Sequence, residues 1–320
     1  MSLRTILTPG VYHGLDKKPP FFEGWYFKLI SADESHKIAI IPGVILGQDA
    51  HAFLQVLDGA DGTTAYLKFP FADFHADDQH FAVEVGDNQF NGSQLNLALD
   101  RPSCQLTGEI NFGSLNPWPV TLFSPGIMGW YAYLPRMECY HGVLSFSHSL
   151  QGLLTLNGKR MDFSGGRGYI EKDWGQSFPS AWVWFQSNHF AGTDACITAS
   201  VATIPWSGHA FRGFIVGLWL GGKLHRFATY TGAKIETLQI FDDHVDWVLR
   251  NRQYRLFLNA SRVQGGLLRG PTRNDMGQRV LETLNATVQV RLETLGGAVI
   301  FEGVGAHTGL EVVGEIAQLH

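Results

Sequence analysis

Phe22-Glu-Gly-Trp25-Tyr-Phe27-Lys-Leu29, near the start of the chain, is echoed near its middle by Ser180-Ala-Trp182-Val-Trp184-Phe-Gln186-Ser-Asn188-His-Phe190. Each is an aromatic run that follows a proline and a polar stretch, and ring-rich runs suit a pleated, half-buried surface. Two such starts imply two similar β-domains. Outward from them the apolar spacing is two-fold almost everywhere, as in Leu95-Asn-Leu97-Ala-Leu99 and Ala286-Thr-Val288-Gln-Val290-Arg-Leu292. That alternation puts one face of a strand in a core and the other in water, the pattern of antiparallel sheets. Turn signals recur at short intervals: Asp58-Gly-Ala-Asp-Gly62, Asn91-Gly92, Asn157-Gly158, Gly221-Gly222 and Gly296-Gly297. Asn157-Gly158 is the strongest hairpin, since both residue types tolerate the positive φ of a type I′ turn. Many short strands at that pitch predict an all-β chain of barrels or sandwiches. The division is expected in the turn-rich Gly175-Gln-Ser-Phe-Pro179, giving domains 1–176 and 177–320, although one continuous large sandwich fits the same strand pattern. Arg269-Gly-Pro-Thr-Arg-Asn-Asp-Met-Gly277 reads as an exposed loop of the second half.

Across 320 residues, 24 Lys plus Arg stand against 29 Asp plus Glu, a net charge of −5, and only 17% of residues are charged. Phosphate binding needs clustered positive charge, which argues against nucleic acid as a partner. Phe 22, Trp 9 and Tyr 9, with 37 Gly, suggest strands and tight turns around something flat and apolar. No run approaches the roughly 20 apolar residues of a membrane span, and Met1 to Pro9 is too short and polar for a signal peptide, so the chain is expected in the cytoplasm. Cys104, Cys139 and Cys196 are odd in number and form no CxxC, the pattern of buried small apolar side chains.

In the first aromatic strand Lys28 is expected to seek water, sending Gly24 and Tyr26 outward with it and Glu23, Trp25, Phe27 and Leu29 inward. An inward Glu23 beside aromatic rings should have a raised pKa, because desolvation disfavours the anion, and would be poised to donate a proton near neutral pH. Held instead by an arginine at a barrel end, it would be a structural latch. In the second strand Trp182, Trp184, Gln186, Asn188 and Phe190 share one face, against Val183, Phe185, Ser187 and His189 on the other. Either face can be inward. The rings would grip an apolar ring or prenyl chain while the two amides hydrogen-bond a phenol or carbonyl; plain core packing serves equally.

The most distinctive segment is Gly165-Gly-Arg-Gly168-Tyr-Ile-Glu171-Lys-Asp173-Trp174-Gly175. As a strand it places Tyr169, Glu171 and Asp173 on one face, with the carboxylates about 7 Å apart along the chain. Such proximity can split two pKa values and keep one group protonated as an acid. Alternatively Lys172 or a nearby arginine pairs with one of them in a latch between domains. His141 and His148, at odd spacing, face opposite sides of a strand, which argues against a shared metal, and no HExxH-type spacing occurs. Gly217-Leu-Trp-Leu-Gly-Gly222-Lys223-Leu224 nearly spells a phosphate loop, but Leu224 replaces the magnesium-binding hydroxyl, so it reads as a hairpin.

Two of these segments carry a resemblance. Pro19-Pro-Phe-Phe-Glu-Gly-Trp-Tyr-Phe27 and Gly168-Tyr-Ile-Glu-Lys-Asp-Trp-Gly-Gln-Ser-Phe-Pro-Ser-Ala-Trp-Val-Trp-Phe-Gln-Ser-Asn188 resemble the tocopherol cyclase family, with Met137-Glu-Cys-Tyr-His141-Gly and Gly309-Leu-Glu-Val-Val-Gly314 in weaker support. The Gly-Tyr-x-x-x-x-Trp-Gly pattern is also similar to that of carotenoid 1,2-hydratases and lipocalin-like Diels–Alderases. What this resemblance implies is a pair of packed lipocalin-like (calycin) β-barrels. In the cyclase family the implied reaction protonates the alkene of a prenylated hydroquinone, and the phenol oxygen attacks the tertiary cation to close a chromanol ring. That chemistry needs no cofactor and no metal. It needs an acid near the alkene, aromatic faces for the developing cation and a dry pocket. Asp173, Glu171 and Glu23 are the available acids. Trp25, Tyr169, Trp174, Trp182 and Trp184 are the available rings, and Gln186 and Asn188 could position the phenol. The hydratases point to the Glu171/Asp173 region over Glu23, with Glu171 standing where they tend to carry Asp-His. The implied partner is a small hydrophobic substrate, a prenylated quinol or related lipid, which leaves a peripheral membrane contact open. With Thr8-Pro9 almost at the start, the resemblance implies a bacterial member without a plastid-targeting extension. A non-catalytic carrier of an apolar ligand, or a hydratase or pericyclase, would use the same rings.

Overall fold

The computed structural model describes residues 3–135, 137–206 and 209–319. Its two compact units are Met1–Phe178 with Gly266–Arg279, and Pro179–Gly265 with Val280–His320. In the first, hydrogen-bonded antiparallel neighbours run from Thr64–Phe69 through His51–Asp58, Lys37–Leu46 and Phe21–Ile30 to Arg167–Gly175, then Cys139–Leu156, Cys104–Phe112, Gln94–Arg101 and Asn88–Asn91. Phe27, in the fourth of these strands, has its ring centroid 5.4 Å from that of Phe90 in the last. Five strand spacings of ~4.8 Å would separate them by more than ~20 Å in a flat sheet, so the sheet curls around its core.

The second unit is ordered Lys223–Ala228, His209–Leu220, Cys196–Trp206, Ala181–Ser187, Val299–Gly314, Gln278–Thr294, Tyr254–Ser261, His244–Arg250 and Lys234–Ile240. It curls likewise: the Trp247 ring lies 6.2 Å from Phe185 and 6.4 Å from Phe214, both several strands away. The expected all-β, two-barrel architecture is the one observed. Asn157 (φ 48°) and Gly158 (φ 82°) close the hairpin between Cys139–Leu156 and Lys159–Asp162. The near-miss phosphate loop is a hairpin turning at Gly221-Gly222.

One loop lies elsewhere than expected. Gly266–Arg279 belongs to the first unit, not the second. The Gln55 side chain explains why, because its amide donates to the Arg269 carbonyl at 2.9 Å and its oxygen accepts the Arg269 N–H at 2.8 Å. Met276 of the same segment packs with Phe22, Ile45 and Phe53. Lys28 is also a correction: it is fully buried, on the face shared with the buried Tyr26. The expected parity holds, but both faces of this strand are covered, so parity does not separate core from water.

Glu23, Trp25, Lys172 and Trp174 project from one face of the paired Phe21–Ile30 and Arg167–Gly175 strands, because Glu23 lies opposite Trp174 and Trp25 opposite Lys172. Lys172 Nζ, with no exposure, contacts the Glu23 carboxylate and the Val11 carbonyl, the Pro9 carbonyl at 3.0 Å and His13 Nδ1 at 2.8 Å. Glu23 accepts the His13 backbone N–H on both oxygens, at 3.0 and 2.9 Å. His13 Nε2 donates to the Thr5 carbonyl at 3.2 Å, which leaves Nδ1 as the acceptor facing Lys172. The Trp25 and Trp174 rings stand 4.7 and 4.9 Å from the ammonium, a cation–π pair, and His13 stacks on Trp174. Burial pushes Lys172 down to about 8 against the opposing pull of Glu23. Burial alone would raise Glu23, but Lys172 and then His13 hold its carboxyl below the usual carboxylate range. The raised pKa expected of Glu23 is thus reversed. Glu23 is an anion in a latch, with a lysine where an arginine was expected, and Lys172 serves it rather than Glu171 or Asp173.

Removing one member of a buried pair strands the other's charge, so Lys172→Met is expected to cost roughly 3–5 kcal/mol in denaturant unfolding, while Glu23→Leu/Lys172→Met recovers most of it. A loss below ~1 kcal/mol in the single variant contradicts the latch. The folded Glu23 pKa lies below its unfolded value, so the stability it adds is complete above the carboxylate range and is lost as pH falls through the depressed folded value. Acid titration of stability should therefore lose a step in Glu23→Gln.

Candidate active site

The opposite face of the Arg167–Gly175 strand carries Tyr169, Glu171 and Asp173. Antiparallel register sets His141 of Cys139–Leu156 opposite Asp173, and directly opposed residues share a face. His141 Nδ1 lies 2.8 Å from Asp173 Oδ1, and Nε2 lies 3.5 Å from Glu171 Oε2. The Tyr169 hydroxyl donates to that same Glu171 oxygen. Tyr169, Glu171, His141 and Asp173 thus form a relay in which a single imidazole is hydrogen-bonded to Asp173 and lies within ion-pair distance of Glu171. When Nδ1–H donates to Asp173, Nε2 is the ring nitrogen left facing Glu171. An imidazole held between carboxylates is a side-chain set suited to moving a proton. Side-chain exposures of 7% for Glu171, 15% for His141 and 27% for Asp173 leave the relay dry at one end and reachable at the other.

Cys139 joins this relay to a buried apolar cluster. Its Sγ is 3.9 Å from Asp173 Oδ1, and burial, reinforced by Asp173, pushes the thiol well up, so it is neutral. It packs against the cluster of Phe22, Ile45, Phe53 and Met276, alongside Phe178. Cys104 and Cys196 are buried free thiols. Ligand atoms of His141, Glu171 and Asp173 lie within 4.8 Å of one another, a grouping that chain spacing does not reveal. One ion can take only one imidazole nitrogen, and here each nitrogen faces a different carboxylate, so the arrangement suits proton transfer better than chelation.

Of the residues singled out in the sequence, Tyr169, Glu171 and Asp173 come together here. Glu23, Trp25 and Trp174 lie on the opposite face, in the latch. Trp182, Trp184 and Gln186 belong to the second unit, on the side of their strand away from Val183 and Phe185, which fill that unit's core. They are nonetheless buried. Polar groups flank part of this row, with Thr198 opposite Gln186 and Ser200 and Glu311 on either side of Trp184, while Trp182 sits between Ala202 and Val313. Trp182 Nε1 donates to Glu311 at 2.6 Å. The alternation stops at Asn188, where the strand ends at Ser187 and a short one begins at His189. Phe190 therefore turns into the core instead of joining the tryptophans, and Asn188 pairs with His189 Nδ1 at 2.8 Å. His141 is the member of the relay that chain spacing missed. Its partner is set by strand register, and spacing within its own strand says nothing of Asp173.

A family model described as tocopherol cyclase-like matches residues 114–314, a span that contains the whole relay. The chloroplastic tocopherol cyclase of Zea mays is 25% identical over 151 residues, 45% of this chain and 31% of that protein. A probable chloroplastic tocopherol cyclase of Oryza sativa subsp. japonica is 28% identical over 117 residues, 35% of this chain and 25% of that protein. The matched stretches span less than a third of these relatives. Two solved structures share the fold. Kievitone hydratase from Nectria haematococca superposes with TM-score 0.53 at 15% identity, over 95% of this chain and 93% of that one. CghA with Sch210972 gives 0.55 at 14%, over 92% and 89%. The family match covers well over half of the sequence, and the chain belongs to the tocopherol cyclase-like family.

Proposed function

We propose that this protein is a cofactor-independent cyclase that closes a chromanol ring on a prenylated hydroquinone. The observation that carries the reading is the Tyr169–Glu171–His141–Asp173 relay bordered by the Phe22, Ile45, Phe53 and Met276 cluster. In this reading the Glu171/His141 pair carries a proton that passes to the less substituted alkene carbon, and the π electrons form the new C–H bond. The phenol oxygen then attacks the tertiary cation, and the phenolic proton returns to the relay. Atoms balance: the product is an isomer of the substrate, and the acid is regenerated. Asp173 holds the imidazole by Nδ1–H, the apolar cluster keeps water from the cation, and nearby rings such as Tyr26, 6.5 Å from Tyr169, offer it π-faces. The family's small hydrophobic substrate class supports the same reading. A specific second reading is hydration, since a partly exposed Asp173 leaves one end of the relay open to water.

Incubation of the purified protein with a geranylgeranylated or phytylated hydroquinone should yield a chromanol of unchanged mass. A product heavier by one water assigns the hydratase reaction, and bound but unaltered substrate assigns a carrier. His141→Gln should lower kcat by roughly a hundredfold or more, the scale of general acid catalysis, with a much smaller change in KM. Asp173→Asn should lower kcat less and alter the pH profile, because it loosens the imidazole without removing the proton. Full turnover in both variants places the acid outside the relay.

A further inference from the structure

Between Glu109 and Arg136 no residue of the sequence carries a charge. Within the first unit this stretch links Cys104–Phe112 to Cys139–Leu156, and its base is firmly fastened. The Trp118 N–H donates to the Val143 carbonyl at 3.2 Å, the Phe146 N–H to the Asn116 carbonyl at 2.7 Å, and the Tyr140 hydroxyl to the Leu134 carbonyl at 2.7 Å. Trp118 stacks on Phe146, and Trp118, Ile127 and Met128 are buried. Gly129, at φ 55° and ψ −144°, adopts a conformation essentially restricted to glycine and reverses the chain after that buried pair. Its apex is the contrary: Leu122 is 53% exposed, Phe123 87%, Trp130 47% and Tyr133 37%. The Tyr133 hydroxyl donates to the Leu122 carbonyl, tying the two arms of the apex together.

We infer that this loop docks on a lipid bilayer, with Leu122, Phe123, Trp130 and Tyr133 inserted at the headgroup–acyl boundary. A braced base with an apolar apex is costly to display in water unless something removes the apex from it. Protein interfaces carry polar rims and favour arginine, whereas here an entire loop lacks charge. Phe and Leu accompanied by Trp and Tyr form the side-chain set that settles at a membrane surface. The chain's net charge of −5 offers anionic lipid no attraction, so apolar burial must supply the binding. Small hydrophobic substrates, the class the family indicates, partition into bilayers, and a bilayer-resting loop keeps the protein beside their source. The inference stands on exposure and charge, independently of the reaction proposed above.

Flotation of the full chain with pure phosphatidylcholine vesicles tests it. The wild type should float at both low and high salt. Leu122→Ser/Phe123→Ser and Trp130→Ser should each lower the bound fraction by roughly tenfold, while Val263→Ser, an exposed apolar residue of the other unit, should leave it unchanged. Because the altered side chains are exposed, thermal melts of the variants should match the wild type, which separates lost docking from lost folding. Failure of the wild type to float, flotation only with anionic lipid, or equal flotation of the loop variants overturns the inference. So does a self-associated wild type that the same variants convert to monomer without lipid.

Discussion

The Lys172 ammonium sits fully buried among the Glu23 carboxylate, two backbone carbonyls and two tryptophan faces, and much of the first unit is arranged around that constraint. A buried cation is tolerated only when paired and hydrogen-bonded. Lys172 satisfies this by drawing the segment from Pro9 to His13 across the sheet and by taking Glu23 as its counterion. Because side chains alternate along a strand, fixing Lys172 on the latch face fixes Glu171 and Asp173 on the other. The same residue that fastens the N-terminal segment therefore sets which carboxylates are available for chemistry.

Two buried glutamates illustrate how environment divides roles. Glu23 lies against a cation and a backbone N–H, so its anion is favoured and its proton is gone at any ordinary pH. Glu171 has the Tyr169 hydroxyl and the His141 imidazole beside it, on the face that also carries the buried Lys28. Its strand-mate Lys172 is committed elsewhere. That separation places one carboxylate in the latch and the other beside the imidazole, on strands that are paired in the sheet.

Much of the architecture was legible in the sequence because period-two alternation and turn chemistry are local. The Asn157-Gly158 and Gly221-Gly222 hairpins fall where residue type alone placed them. Parity also grouped Tyr169, Glu171 and Asp173 correctly. What escaped were facts that depend on register and long-range contact. Parity sends Lys28 to water only where one face of its strand is solvated, and here both are buried. Parity groups Phe190 with the tryptophans, because the strand break at Asn188 leaves no mark in composition. The Gly266–Arg279 segment joins the first unit through Gln55, a contact between distant parts of the chain. His141 could be recognised only after pairing set it opposite Asp173.

The central claim, that the relay delivers a proton to carbon, is tested most directly by turnover of a prenylated hydroquinone in D2O, by the wild type and by Glu171→Gln. The account predicts one carbon-bound deuterium in the wild-type chromanol, because the relay proton exchanges with solvent before transfer, and near-complete loss of chromanol formation in the variant while binding persists. A wild-type product without carbon-bound deuterium, or undiminished turnover by Glu171→Gln, would contradict it.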